Sequence, residues 1–129
     1  MLVYADASAL VKLIVEETES AALRLYLGAD ATLTSSRVSV VELSRAIRRN
    51  RLAMLVDPEP LLASVGLIEL EATVSRRAGE APPASLRSLD AIHLASALAL
   101  HAQLDAFVTY DLRLAEAART CQLPVVSPA

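Results

Sequence analysis

Apolar residues along the chain follow two rhythms. Short apolar runs, each bounded by polar or turn-forming residues, alternate with longer stretches in which apolar side chains return every three or four positions. The short runs are Leu2–Ala5, Ala31–Thr34, Leu67–Leu70, Ala106–Thr109 and Leu123–Val126, and they have the length and bounds of strands. Of the longer stretches, the first is opened by Ser8 and runs through Val15. The second is capped by Thr18 and stopped by Gly28, with Ala21 and Leu25 on its buried side. A third runs from Ser39 to about Asn50, and Asp57-Pro58 reads as an N-cap followed by proline at the first helical position. A further helix reaches about Ala78, and Gly79–Ser85, with Pro82 and Pro83, is a loop. The strongest helical pattern is Ser88–His101, where Ile92, Ala95, Leu98, Ala99 and Ala102 recur on one face. Leu112–Ala118 is a short last helix, and Pro128 ends the order.

Strands alternating with helices predict a three-layer α/β/α sandwich around a mainly parallel sheet. With no internal repeat, linker or low-complexity tract, 129 residues fit one domain over residues 1–129. Apolar residues make up 54% of the chain, but the excess is Ala and Leu rather than aromatic, which favours helix over an all-β fold. No run approaches the length of a membrane span, and Met1–Asp6 lacks the basic segment of a signal peptide. A lone cysteine, Cys121, cannot close an internal disulfide, so a reducing, cytoplasmic setting is expected, with Cys121 as a small core residue. The formal net charge of -3 argues against a freely basic nucleic-acid binder. It leaves open a nuclease whose acidic site recruits its own cations.

In parallel α/β sheets ligands bind beyond the carboxyl ends of the strands. Four acids fall at such places. Asp6 and Asp111 each follow a strand, and Glu42 and Asp90 each lie in the first turn of a helix. Each also has a purely structural reading. Asp6 and Asp111 suit helix N-caps, Ser39 and Glu42 match a capping box, and Asp90 suits the positive end of the helix opened by Ser88. Together on one sheet edge, the four would need a counter-charge. Mg²⁺ or Mn²⁺ supplies it through carboxylate and water oxygens, and such an ion activates water and neutralises a phosphodiester. There is no zinc-like set of Cys and His near them.

The wording around these acids carries further. Val3-Tyr4-Ala5-Asp6-Ala7-Ser8-Ala9-Leu10, Val40-Val41-Glu42-Leu43, Ser88-Leu89-Asp90-Ala91-Ile92-His93-Leu94-Ala95 and Val108-Thr109-Tyr110-Asp111-Leu112-Arg113-Leu114 resemble, in order and approximate spacing, the signatures of PIN domains. The resemblance covers nearly the whole chain, and Arg51–Ser85 is the part without a distinctive motif. It implies a Mg²⁺- or Mn²⁺-dependent ribonuclease with Asp6, Glu42, Asp90 and Asp111 as its acidic quartet. In it Asp6, Asp90 and Asp111 hold the metal, Glu42 binds it or orients the nucleophile, and Ser8 and Thr109 support the acids. The chain is most similar in wording to VapC-type toxins, which act on RNA, usually form homodimers and are inhibited by a VapB antitoxin lying across the active-site groove. Where some PIN nucleases carry a further acid, two residues after the fourth, this chain has Arg113.

Two readings stand side by side for Arg45, Arg48, Arg49 and Arg51. They contact RNA or an acidic antitoxin segment, with Arg45 best placed, or they form a solvated helix face near its carboxyl end. His93, one turn from Asp90, is expected to be a partly buried, hydrogen-bonded helix residue rather than a ligand. Tyr4 and Tyr110 are expected to pack. Two phosphate-transfer folds are excluded by pattern: a haloacid-dehalogenase phosphatase needs an Asp where Ser8 stands, and a response-regulator receiver needs an acid paired with Asp6. The alternative from another class is an inactive PIN-like module that binds RNA or protein, for which a missing carboxylate would be the usual sign.

Overall fold

In the computed structural model, which describes residues 1–50 and 55–129, the strands are β1 (Leu2–Ala5), β2 (Thr32–Ser36), β3 (Gly66–Ile68), β4 (Ala106–Val108) and β5 (Val125–Val126). The helices are α1 (Ala7–Ile14), α2 (Ser20–Leu27), α3 (Val38–Arg49), α4 (Glu59–Ala63), α5 (Ala72–Glu80), α6 (Ser88–Leu98) and α7 (Leu112–Thr120). The five strands form one sheet in the order β3-β2-β1-β4-β5, and every pairing is parallel. The expected sandwich is therefore present, with a wholly parallel sheet.

Alternation along the strands sorts the core into two layers. Val3, Ala5, Ala106 and Val108 face one side, where they pack with Leu10 of α1, Leu23 of α2 and Leu43 and Ile47 of α3. Tyr4 and Phe107 face the other, against Leu94 of α6 and Leu114 and Ala117 of α7. The Tyr4 and Phe107 rings stack at 5.3 Å between centroids, following their register pairing across β1 and β4. The central strands are buried on both faces, which is why their sequences read as unbroken apolar runs rather than alternating ones.

Strand order gives the site its place. The chain lays down β1, moves outward to β2 and β3, then returns to the opposite side of β1 for β4 and β5. The reversal opens a crevice at the carboxyl ends of β1 and β4, where Asp6, Thr109 and Asp111 lie.

Local boundaries differ from the sequence expectation where side-chain bonding overrides propensity. Asp6, not Ser8, caps α1, accepting from Ala9 N at 3.1 Å. Helix α2 begins after Glu19 without the Thr18 cap, because Ser20 Oγ receives the Glu17 amide instead. Gly28 does end α2, at φ 59°, a conformation glycine takes without a Cβ clash. Helix α3 starts at Val38, and Ser39 makes no capping box with Glu42. Its hydroxyl is buried 2.7 Å from Ser35 Oγ, which donates to Ala5 O across the sheet. Asp57 accepts from Glu59 N, but the N-cap of α4 is Pro58. Arg87 rather than Ser88 precedes α6, which ends at Leu98, with a 3-10 turn over His101–Gln103. Helix α5 extends into the expected loop as far as Glu80, and α7 runs two residues further than expected, to Thr120. Cys121 is half-buried at the edge of the core rather than inside it, since it falls at the end of α7.

Candidate active site

Asp6 is the first residue past β1 and is 3% exposed. Its carboxylate is held from three directions. Ser8 Oγ donates to Oδ1 at 2.6 Å, Ala9 N donates to the same oxygen, and Thr109 Oγ1 donates to Oδ2 at 2.7 Å. Both hydroxyls then accept from the β4 loop: Ser8 from Tyr110 N at 2.9 Å and Thr109 from Asp111 N at 3.1 Å. The ends of β1 and β4 are thus joined through Asp6. Burial pushes the Asp6 carboxyl above its ordinary value. The hydrogen bond from Ser8, the charge of His93 and the donors Thr109 and Ala9 pull it partly back.

Asp111 is the N-cap of α7 and accepts from Leu114 N at 3.0 Å, as its structural reading expected. It also lines a shallow cleft with Asp90, Arg87, Leu112 and Arg113. Glu42 points away from its own helix end, and its Oε1 lies 2.6 Å from His93 Nε2. His93 is 1% exposed, and its Nδ1 lies 2.7 Å from the Tyr4 hydroxyl. Burial holds the Tyr4 phenol far above its ordinary pKa, so it stays protonated against Nδ1. Nε2, facing a carboxylate oxygen, is the donor to Glu42. The chain Tyr4–His93–Glu42 therefore ties the third helix to the middle strand from inside the protein. His93 was expected only to be a hydrogen-bonded helix residue. Its link to Glu42 was not legible because the partners are 89 and 51 residues away.

Asp90 differs from the other three. It is half-buried, yet among the described residues it accepts no hydrogen bond and forms no ion pair. Burial raises its carboxyl pKa first, and the like charges of Asp111, Asp6 and Glu42 raise it further against the opposing pull of His93. The charges of Asp111, Asp6 and Glu42 thus all reach Asp90, from three other elements. Among the described residues no three His, Cys, Asp or Glu side chains close into a ready-made metal cage. The donor set fits a hard cation that keeps most of its waters. It is all oxygen, negatively charged, and contains one carboxylate with nothing else to bind.

The arginines divide. Arg45 and Arg49 line a cleft with Ser8, Glu42, Val41 and Leu89 beside the acids, whereas Arg48 faces a separate cleft with Ser44, Val56 and Pro58. Arg51 lies outside the described residues. Lys12, a residue not singled out in the sequence, is nearly buried. Its Nζ sits 2.8 Å from Glu19 Oε2 and 4.7 Å from the centre of the Tyr110 ring. Tyr110 packs as expected, its hydroxyl donating to Pro128 O.

The PIN-domain family model matches residues 3–120. The chain belongs to the PIN-domain family. It is 44% identical to "Ribonuclease VapC35" of Mycobacterium tuberculosis, over 98% of this PIN domain and 97% of the relative. "Ribonuclease VapC46" of the same species is 39% identical over the same shares. Among solved structures, the fold matches VapC20 of M. tuberculosis, described as a sarcin-ricin loop cleaving toxin, at a TM-score of 0.70 and 16% identity over 98% of this chain and 99% of that one. It also matches VapBC2 of Rickettsia felis bound to a promoter DNA fragment, at 0.68 and 14% identity over the whole of both chains. At those identities the likeness speaks for the fold alone. The VapC resemblance read from the motif wording is borne out by the curated relatives. Among the described residues no helix of this PIN domain is long and apolar enough to cross a membrane.

Proposed function

We propose that this PIN domain is a divalent-metal-dependent endoribonuclease of the cytoplasm, the toxin of a type II toxin–antitoxin pair, working as a homodimer and neutralised by a VapB-type antitoxin. The observation that carries the nuclease reading is Asp90: a half-buried, unbonded carboxylate that lines a cleft with Asp111 and feels the like charges of Asp111, Asp6 and Glu42. Leaving such a group unpaired is unfavourable unless a cation joins it. The names of the curated relatives supply the substrate class, RNA. Exposed apolar side chains at Val41, Leu89 and Leu112, on the two clefts beside the acids, support a protein partner that covers the site.

Asp6, Asp90 and Asp111 would hold Mg²⁺ or Mn²⁺, with Ser8 and Thr109 fixing the Asp6 oxygens so that they face it. Bound there, the ion would neutralise charge on the phosphodiester and acidify water for in-line attack. Glu42, aimed by His93, orients the attacking water. Arg45 meets the RNA backbone on the Glu42 side, or an acidic antitoxin segment when the toxin is held silent.

The test is to map new RNA 5′ ends in cells after induction of the wild type and of Asp6→Ala, alongside calorimetric titration of the purified protein with Mn²⁺. Discrete new ends that vanish in the variant, together with saturable Mn²⁺ binding, are expected. Absence of both would leave the inactive, binding-only reading in its place.

A further inference from the structure

A groove of about 590 Å³ contains none of the four acids. Its walls are nevertheless the two segments that present two of them. One wall is the stretch 82–86, which leads into α6 and Asp90. The other is a face of α7, the helix capped by Asp111. On that face Arg113, Glu116, Ala117 and Thr120 follow one another at i, i+3, i+4 and i+7, so the groove runs about 10 Å along the helix away from the acids. Arg113 stands at the junction, since it lines both this groove and the acidic cleft of Asp90 and Asp111. Arg87 lines the same cleft, and neither guanidinium has an ion-pair or hydrogen-bond partner among the described residues.

We infer that this groove is a subsite for one unpaired nucleotide of the RNA strand flanking the cut, with Arg113 on its phosphate. The inference rests on the nuclease reading above and adds where the strand leaves the site. The chemistry of the walls fits an unstacked nucleotide. Pro82, Pro83 and Leu86 offer apolar surface to the flat face of a base, while Glu116 accepts from exocyclic amino groups, Ser85 offers a hydroxyl to its edge, and Thr120, whose proton goes to Glu116 O, offers an acceptor. Arg113, at the position where some PIN nucleases carry a further acid, places a phosphate-binding fork one step from the cutting point.

The measurement is binding of a short, randomised, fluorescein-labelled single-stranded RNA to the full chain in EDTA, where no cleavage occurs, across a salt series. Sequencing of the product ends from total RNA with Mn²⁺ present accompanies it. Arg113→Ala is expected to weaken binding about five- to tenfold and to lower the salt slope by about one. Thr120→Trp and Ser85→Trp, exposed positions on opposite walls, should weaken binding with the slope unchanged and alter the base preference on one side of the cut. Arg119→Ala, the same charge removed from α7 away from the groove, should leave both as in the wild type. Wild-type binding and product ends in all three groove variants would overturn the subsite while leaving the nuclease standing. Loss of metal binding and cleavage in the wild type itself would instead remove the nuclease reading. Variants that bind RNA normally but lose affinity for a purified antitoxin would make the groove a protein seat, and the inference would be wrong.

Discussion

Replacing Thr109 with valine tests the bond network at the crevice with little change of shape. Thr109 is fully buried, and its hydroxyl serves two partners: it donates to Asp6 Oδ2 and accepts from Asp111 N. Valine fills the same space but offers neither bond. A hydrogen bond to a charged group contributes about 1.5–3 kcal/mol. The orphaned Asp111 amide costs roughly a further 1 kcal/mol, at the low end because Asp111 is only half-buried and water can reach it. The expected loss is therefore about 2.5–4 kcal/mol near pH 7, read by urea unfolding of the metal-free protein. Thr109→Ser, which keeps the hydroxyl and loses one methyl, should cost only about 1 kcal/mol. The valine penalty should also shrink on acidification. The Thr109 donor stabilises the ionised form of Asp6, so once Asp6 is protonated the bond matters less. If valine costs no more than serine, or its penalty does not shrink as the pH falls, the hydroxyl does not support Asp6 as argued.

Asp90→Asn should stabilise the metal-free fold at neutral pH. Folded Asp90 ionises above the unfolded-chain value of about 3.9, so between those two values the folded state holds the extra proton and stability falls as pH rises. The variant should lose that slope and the added thermal stability that Mn²⁺ gives the wild type, and a variant less stable than wild type at pH 7 would contradict this. Tyr4→Phe leaves the buried His93 Nδ1 without its hydrogen-bond partner, with an expected cost of about 1–3 kcal/mol by urea unfolding and a fall in cleavage borne by kcat rather than KM. Glu42→Gln keeps the fold and lowers kcat. Unchanged turnover with Glu42→Gln would remove Glu42 from the site.

How far the sequence could be read follows from where each bond partner lies. The five strands were visible because burial within a sheet leaves a local rhythm, as in Leu2–Ala5. Helix faces were less so: Leu25, expected on the buried side of α2, is 85% exposed, and α6 buries Ala91 and His93–Ala97 round most of its circumference while Ala99 and Ala102 of the expected face are exposed. That Asp6 and Asp111 follow strands and that Asp90 lies in the first turn of a helix needed only the parallel alternation and the motif wording, whereas Glu42 falls beyond the first turn of α3. Helix starts were misread where a side chain is taken by a distant group. Ser39 looks like a cap in isolation but is claimed by Ser35 at the β2 end, and Ser8 looks like a helix opener but serves Asp6 and Tyr110. His93 was seen as a bonded helix residue, yet its partners sit on β1 and α3. Lys12 gave no signal, because a lysine in an amphipathic helix is ordinarily solvated, and here Glu19 and the Tyr110 ring hold it in place.

The two short motifs that flank the crevice make physical sense as one object. In Asp6-Ala7-Ser8 the hydroxyl turns back onto the acid two residues before it. In Thr109-Tyr110-Asp111 the hydroxyl accepts the amide of the acid two residues after it. Each hydroxyl then reaches across, Thr109 to Asp6 and Ser8 to the Tyr110 amide, and the two lie 3.5 Å apart. These residues therefore tie the carboxyl ends of β1 and β4 together and hold the Asp6 carboxylate between them. Holding Asp6 this way lets a buried carboxylate persist beside β1 without a permanent cation. Asp90 receives no such support, and its charge is left for whatever enters the crevice. The division between a braced acid and an unbraced one separates a site built to be filled from a set of acids that only cap helices.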